Sequence, residues 1–461
     1  MLSHLYREIF KMNRNTQSDD QNLLDDVLKK ALIKGAESAD GIIIRSTSVS
    51  HSQRLGKIEK LEREESMSMG LRVFSGRKQA IVSSTSTKPE ALDELVLRVI
   101  AMANSVPDDQ WCGLADPKQF ATQKFDLEIS DYKEPNNADL INLAQECEES
   151  ALNIDGVTNS EGAESSWNHN EISLVTTNGF SDSYSKTHSS LSVSVIAGQG
   201  IDMESDYDFS QAVFFSDLTE PSKLGASAGR RAVSHLGSRK MPTSSVPVIF
   251  DPRVANSFLG HLISAISGPS VATGTSFLKG SLNQPIFSSN ITIVDDPHMP
   301  RGLRSKPFDA EGLDNKKINF VENGILVSWL LDLASARQLG LQSTGRASRG
   351  TSSPPNPSPT NLYLEPGPLS PAELMADIKN GFYVSSLMGM GVNGVTGDYS
   401  RGANGFWIEN GKLSFPVSEM TIAGNLIEIY KNIIPANDLE FLYGINSPTI
   451  RVDGLTVAGS T

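Results

Sequence analysis

The triplet Glu-Asn-Gly occurs twice in this chain, in "INFVENGILVSW" (residues 318–329) and in "GFWIENGKLSF" (residues 405–415), each time between alternating apolar residues. Asparagine followed by glycine tolerates positive φ at both central positions of a type I′ turn, whose twist matches that of paired strands. Two hairpins are therefore predicted, with tips at Asn323-Gly324 and Asn410-Gly411. A chain pinned in this way in its second half has that half committed to antiparallel sheet.

The first half mixes periods. Leu23, Leu24, Val27, Leu28, Ala31 and Leu32 fall at helical spacing over residues 22–35. The β-branched run "GIIIRSTSVS" follows, then strands turning at Ser75-Gly76-Arg77, then a helix over 88–103. Residues 108–137 are punctuated by Pro and Asp and read as a connection. A helix over 138–152, a hairpin tipped by Asn178-Gly179 and a helix over 219–237 with Thr219 as its cap complete the region. The expected fold class is α+β: an N-terminal helix–sheet–helix region followed by a β-rich C-terminal domain with antiparallel sheets. The 461 residues are expected to divide as a loose tail (1–18), an N-terminal α+β domain (19–107), a central α+β region (108–240) and a C-terminal β-rich domain (241–461). Translation could begin at Met1 or at Met12.

A formal charge of −14 with no Lys/Arg cluster argues against a phosphate-backbone partner. No apolar run is long enough for a membrane span, and the first residues lack the apolar core of a secretory signal. Cys112 and Cys147, the only cysteines, do not suggest a disulfide framework. A reducing cytoplasm fits these features.

The chemistry is most exposed in "DPRVANSFLGHLISAISG" (residues 251–268). Wound as a helix, Val254, Phe258, Leu259, Leu262, Ile263 and Ile266 form an apolar face, opposite Asn256, Ser257, Gly260, His261 and Ser264. A zinc helix needs a second ligand one turn from the first and a carboxylate to act on metal-bound water. Asn256 and Ser257 supply neither, so His261 reads as a solvated or cleft-facing histidine without metal. "GASAG" (residues 225–229) matches a nucleophile elbow in letters but falls inside a helix with no strand before it. The glycine-rich residues 389–405 lack the lysine of a phosphate loop and read as β turns. "VDDPHMPRG" brings Asp295, Asp296 and His298 close in sequence, but neighbouring strand residues face opposite ways, and a structural turn is expected.

Several ordered segments, including "SFLGHLISAISG", "TIVDDPHMPRGLRSKPFDAEG", "FVENGILVSWLLDLASARQLG", "NLYLEPG", "GVNGVTGDYSRGANGFWIENG" and "FPVSEMTIAGNL", together resemble the TldD/TldE (PmbA) family of metalloproteases, and most closely its TldE/PmbA branch. In the catalytic TldD branch a His-Glu-x-x-x-His helix and a distal cysteine hold the metal. The resemblance puts Asn256, Ser257 and His261 at the helix positions, and the cysteine position falls within residues 388–391, where this chain has none. It therefore implies a remnant motif with no metal in this chain, and zinc in a TldD-like partner chain. It also implies a heterodimer acting on unfolded peptides, in peptide maturation and antitoxin turnover. His261, Arg346, Arg349, Asn393, Asp398 and Arg401 are the expected lining of a shared peptide channel, and Phe406, Trp407 and Phe415 the expected partner contact, although Trp407 could equally be core. Direct contact with nucleic acid or membrane is not expected. The alternatives are a divergent hydrolase acting alone through His261 with Asp295, Asp296 or His298, and a homodimeric peptide-binding module.

Overall fold

The structure, a computed structural model, describes residues 2–459, with side chains from residue 17 onward. The first strands are β1 (Ser38–Arg54), β2 (Lys57–Ser75), β3 (Lys78–Ser84), β4 (Val157–Thr176), β5 (Ser181–Ala197) and β6 (Glu204–Ala212). β1 pairs with β4 from Asp40 opposite Thr176 to Gln53 opposite Ala163. The result is one antiparallel sheet in the order β3-β2-β1-β4-β5-β6. The N-terminal and central regions thus share a sheet across the sequence boundary at 107/108. The cause is visible in β1: Ile42 and Ile43 point to opposite faces and both are buried, so both faces of the strand must be covered.

Four helices cover one face. They are α1 (Leu2–Ile33), α2 (Pro89–Ser105), α3 (Asn137–Leu152) and α4 (Pro221–Ser234). Leu24, Val27 and Leu28 of α1 pack with Leu95 and Val99 of α2 over Ile43, Met69 and Leu71. Helix α1 begins well before residue 22, so residues 2–18 continue the helix rather than forming a loose tail; no Gly or Pro interrupts it before Gly35, where φ is +108°. At the start of helix α4 the N-cap position falls on Glu220 instead of Thr219, with no side-chain capping bond. Helix α3 has a capping box between Asn136 and Asp139.

The C-terminal half contains β7 (Ser244–Phe250), α5 (Pro252–Ile266), β8 (Ile293–Asp296), β9 (Ile318–Glu322), β10 (Ile325–Leu326), β11 (Ala347–Ser348), β12 (Asn356–Pro357), β13 (Asn361–Leu364), β14 (Asn380–Met388), β15 (Asp398–Glu409), β16 (Lys412–Asn425), β17 (Ile433–Pro435), β18 (Ile445–Asn446) and β19 (Ile450–Gly459). Apart from β11 and β12, which pair with each other, the strands form a sheet ordered β10-β9-β8-β13-β18 and another ordered β16-β15-β14-β7-β19-β17. Pairing is antiparallel except for β14 with β7 and β13 with β18. Both Glu-Asn-Gly hairpins form, with φ of +49° and +80° at Asn323-Gly324 and of +50° and +76° at Asn410-Gly411. Helix α5 shares the principal apolar core with both sheets, through Phe258 and Leu262 against Phe250, Phe320, Leu362 and Phe382.

Candidate functional site

Helix α5 starts at a fixed point. Asp251 accepts a hydrogen bond from the Arg253 amide at 2.9 Å, which caps the helix, and another from the Tyr383 hydroxyl of β14 at 2.7 Å. Arg253 then reaches the edge strand β6, where its Nη2 lies 3.1 Å from Asp206 Oδ1. The start of α5, the end of β14 and β6 enclose a cleft of about 570 Å³, lined by Asn256, Ser257, Arg401, Met388, His235 and Asp206 among others. The cleft therefore lies where the first sheet meets the C-terminal domain.

None of the lining groups on α5 is equipped for metal chemistry. The Ser257 hydroxyl donates to the Val254 carbonyl at 2.6 Å, which ties it to its own helix. Met388, in the stretch where the catalytic branch is expected to carry its cysteine, lines the same cleft with a thioether in place of a thiolate. His261 is half-buried, and its Nε2 is enclosed without a hydrogen-bond partner. The rings of Phe258 and Tyr399 lie 6.5 Å and 6.1 Å from it. Burial, reinforced by the positive charge of Arg401, pushes its pKa down to about 4, so the imidazole is neutral at physiological pH. The same arginine opposes any cation at this point. Zinc does not fit this set of residues. Among the described residues no three of His, Cys, Asp and Glu come together in a way that could hold a metal.

The expected channel residues separate into three places. Arg401 lines the cleft with Asn256 and Ser257. Asn393 and Asp398 line an open groove beside Tyr399. Arg346 and Arg349 do not face a peptide path in this chain. The Arg346 side chain is 0% exposed and pairs with Asp295, while Arg349 Nη1 bonds Asp40 of β1 at 2.7 Å. Residues 343–361 have no apolar period because they form a strap held by polar contacts across the first sheet. Ser68 and Thr351 hydroxyls are 2.7 Å apart, and a Cβ on Gly70 would stand 2.2 Å from the Thr351 carbonyl oxygen.

The remaining motifs are structural. Asp295 accepts from Arg346 and from Thr360 N at 2.7 Å; Asp296 accepts from His298 N at 2.9 Å; and His298 Nε2 lies 2.8 Å from Asn315 Oδ1. Asp295 and Asp296 end strand β8 and His298 lies in the turn that follows, so the bonds they make hold that turn and the strap in place. Ser227 is inside α4. Trp407 is buried in the core, Phe406 stacks on His235 at 4.9 Å, and Arg239 covers Phe415 at 3.7 Å, so these aromatics are engaged within the chain. One grouping had no signal in the sequence, because its members are far apart along the chain. Ser385 Oγ and Asp206 Oδ2 lie 3.3 Å and 3.7 Å from His235 Nε2. A hydrolytic relay needs the carboxylate and the hydroxyl on different ring nitrogens, so this trio does not form one.

Three sequence models of known domains match the chain in order: PmbA/TldA metallopeptidase domain 1 over residues 39–103, the central domain over 130–236 and the C-terminal domain over 243–459. The metalloprotease PmbA of Escherichia coli O157:H7 is 35% identical over 95% of this chain and 97% of its own length. The chain belongs to the PmbA/TldD metallopeptidase family. A PmbA homolog of Haemophilus influenzae is 34% identical, with 93% of each chain covered. Among solved structures, TldE of Thermococcus kodakarensis superposes with a TM-score of 0.85 at 21% identity, covering 95% of this chain and all of that one, and so shares the fold. A Bacteroides thetaiotaomicron protein, described as a candidate modulator of DNA gyrase, superposes with a TM-score of 0.89 at 25% identity, covering 96% of this chain and 99% of that one.

Proposed function

We propose that this chain is the non-catalytic, TldE-like subunit of a cytoplasmic heterodimeric metalloprotease, whose TldD-like partner carries the zinc and whose substrates are unfolded peptides. One observation carries the reading. The fold brings Asn256, Ser257 and Met388 to a single cleft; the resemblance sets the first two at a ligand and a general-base position of the metal-binding branch and the third in the stretch expected to hold its cysteine, and none of the three side chains suits that work. A cleft of this size without metal-binding groups on its α5 wall is what a subunit kept for shape and contact would present. Exposed apolar side chains at its edge add support: Met203, Tyr207 and Met388 line the cleft, and Met390, 88% exposed, lines the neighbouring groove. Contiguous exposed apolar surface marks an interaction site. The unpaired edge of β6 offers backbone hydrogen bonds to an extended peptide or to the partner.

The test mixes the purified chain with a TldD-like chain and follows cleavage of an unfolded peptide. Each chain alone should be nearly inactive and the one-to-one mixture active. Full activity of the partner alone, unchanged by this chain, would overturn the proposal, as would activity of this chain by itself.

A further inference from the structure

A second cavity lies between the first sheet and the C-terminal domain, with a volume of about 280 Å³. Its apolar wall comes from one row of sheet positions, Ile42 and Ile44 of β1 opposite Leu174 and Ile172 of β4, closed by Phe308. Its polar wall is cationic. Lys186, Arg304, Lys306 and Arg349 all line it, against the single carboxylate of Asp309. This excess of positive charge is enclosed in a chain whose formal charge is −14.

The Arg349 side chain is only 1% exposed. Its Nη1 is used by Asp40, but its Nε and Nη2 are buried without hydrogen-bond partners. Lys306 donates to the Ala347 carbonyl at 2.9 Å, a neutral acceptor, so its charge is opposed by Asp309 and Asp295 only through space. A buried donor on a charged group without an acceptor is costly, and proteins normally satisfy it with a partner or an ion.

We propose that this cavity is a binding site for a small oxyanion, a carboxylate or phosphate group with room for a short apolar appendage against the isoleucine wall. The anion would accept from Arg349 Nη2 and Nε and lie among the charges of Lys186, Arg304 and Lys306. Its presence would tie β4 and β5 to the strap at residues 343–361. The present balance of forces is consistent with such a ligand. Burial lowers the pKa of Lys306 to about 8, and burial together with the charge of Arg304 lowers that of Lys186. An anion would relieve both effects. Burial also raises the Asp309 pKa, which weakens the one carboxylate on the cavity wall.

The experiment measures thermal unfolding and titration calorimetry of the full chain with inorganic phosphate and with isovalerate, at constant ionic strength set by chloride. At least one of the two should bind and raise the melting temperature above that in chloride. Phosphate alone would identify a phosphate-bearing ligand, and isovalerate alone a carboxylate with an apolar tail. Lys186→Met keeps the apolar stem and removes the charge. It should melt higher than wild type in chloride, because a repulsion is gone, and should bind the anion about tenfold more weakly, the usual loss for one hydrogen bond to a charged group. Arg304→Met provides the same readout if Lys186→Met folds poorly. Absence of stabilisation by either anion, or an equal shift in wild type and variant, would overturn the proposal.

Discussion

At the scale of single residues, His261 shows how position decides chemistry. Its helical face was legible from the spacing of Phe258, Leu262 and Ile266. Its surroundings were not, because Tyr399 and Arg401 come from β15, well over a hundred positions along the chain. Those two residues turn a histidine expected in a wet or cleft-facing position into one held neutral. The folded pKa lies below the ordinary 6.5, at about 4, so between these values the unfolded chain binds a proton that the folded chain refuses. Stability from this group is therefore intact above pH 6.5 and is lost as the pH falls toward 4. A titration of the His261 ring by NMR should show its inflection near 4, and His261→Gln should flatten the loss of stability over that window. An inflection near 6.5 would contradict the enclosed site.

At the scale of elements, "GASAG" resolves into helix packing. A Cβ on Gly225 would stand 2.0 Å from the Cys147 carbonyl oxygen, and one on Gly229 would stand 2.7 Å from the Ile154 side chain. Residues four apart share a helix face, so these glycines let α4 press against α3 and the residues just beyond it. Gly225→Ala should lower stability by about 1–3 kcal/mol through overpacking, whereas Ser227→Ala should stay within about 0.5 kcal/mol. Urea unfolding of the two variants checks this, and the reverse order would contradict the packing role of the glycines. The same contrast explains what could be read in advance. The Asn-Gly hairpins were legible because a local φ requirement names its residues. The helices were legible because their periods are strong. The strap at residues 343–361 was not, since its order comes from Ser68, Gly70 and Asp40 in another part of the chain, and the fusion of two regions into one sheet rests on the pairing of β1 with β4 across more than a hundred residues. Likewise the cleft could be guessed from Asn256 and Ser257, but its other walls, β6 and β14, could not.

At the scale of the whole molecule, the contact between the first sheet and the C-terminal domain combines an apolar cluster of Ile42, Leu174, Phe180 and Phe308 with a small number of buried charges. Asp40 of β1 receives Arg72 of β2 on one oxygen and Arg349 of the strap on the other, and the three side chains are 3%, 5% and 1% exposed. Burial alone would raise the Asp40 pKa, but the adjacent Arg349 and Arg72 charges outweigh it and hold the carboxyl below its ordinary value of 3.8. Removing the carboxylate charge leaves two guanidinium groups enclosed without compensation, and breaking a buried pair in this way typically costs about 3–5 kcal/mol. Asp40→Asn should therefore unfold at markedly lower denaturant and should expose the strap, so that trypsin cuts at Arg349 while the wild-type chain resists there. The pH dependence gives a second arm. A depressed carboxyl contributes stability above its unfolded value, and that contribution fades as the pH falls below 3.8. The stability gap between wild type and Asp40→Asn should then be widest near neutrality and close in acid. A gap that stays constant with pH would assign the loss to packing and not to charge, and the charged joint would no longer account for how the two halves of the cleft are held in register.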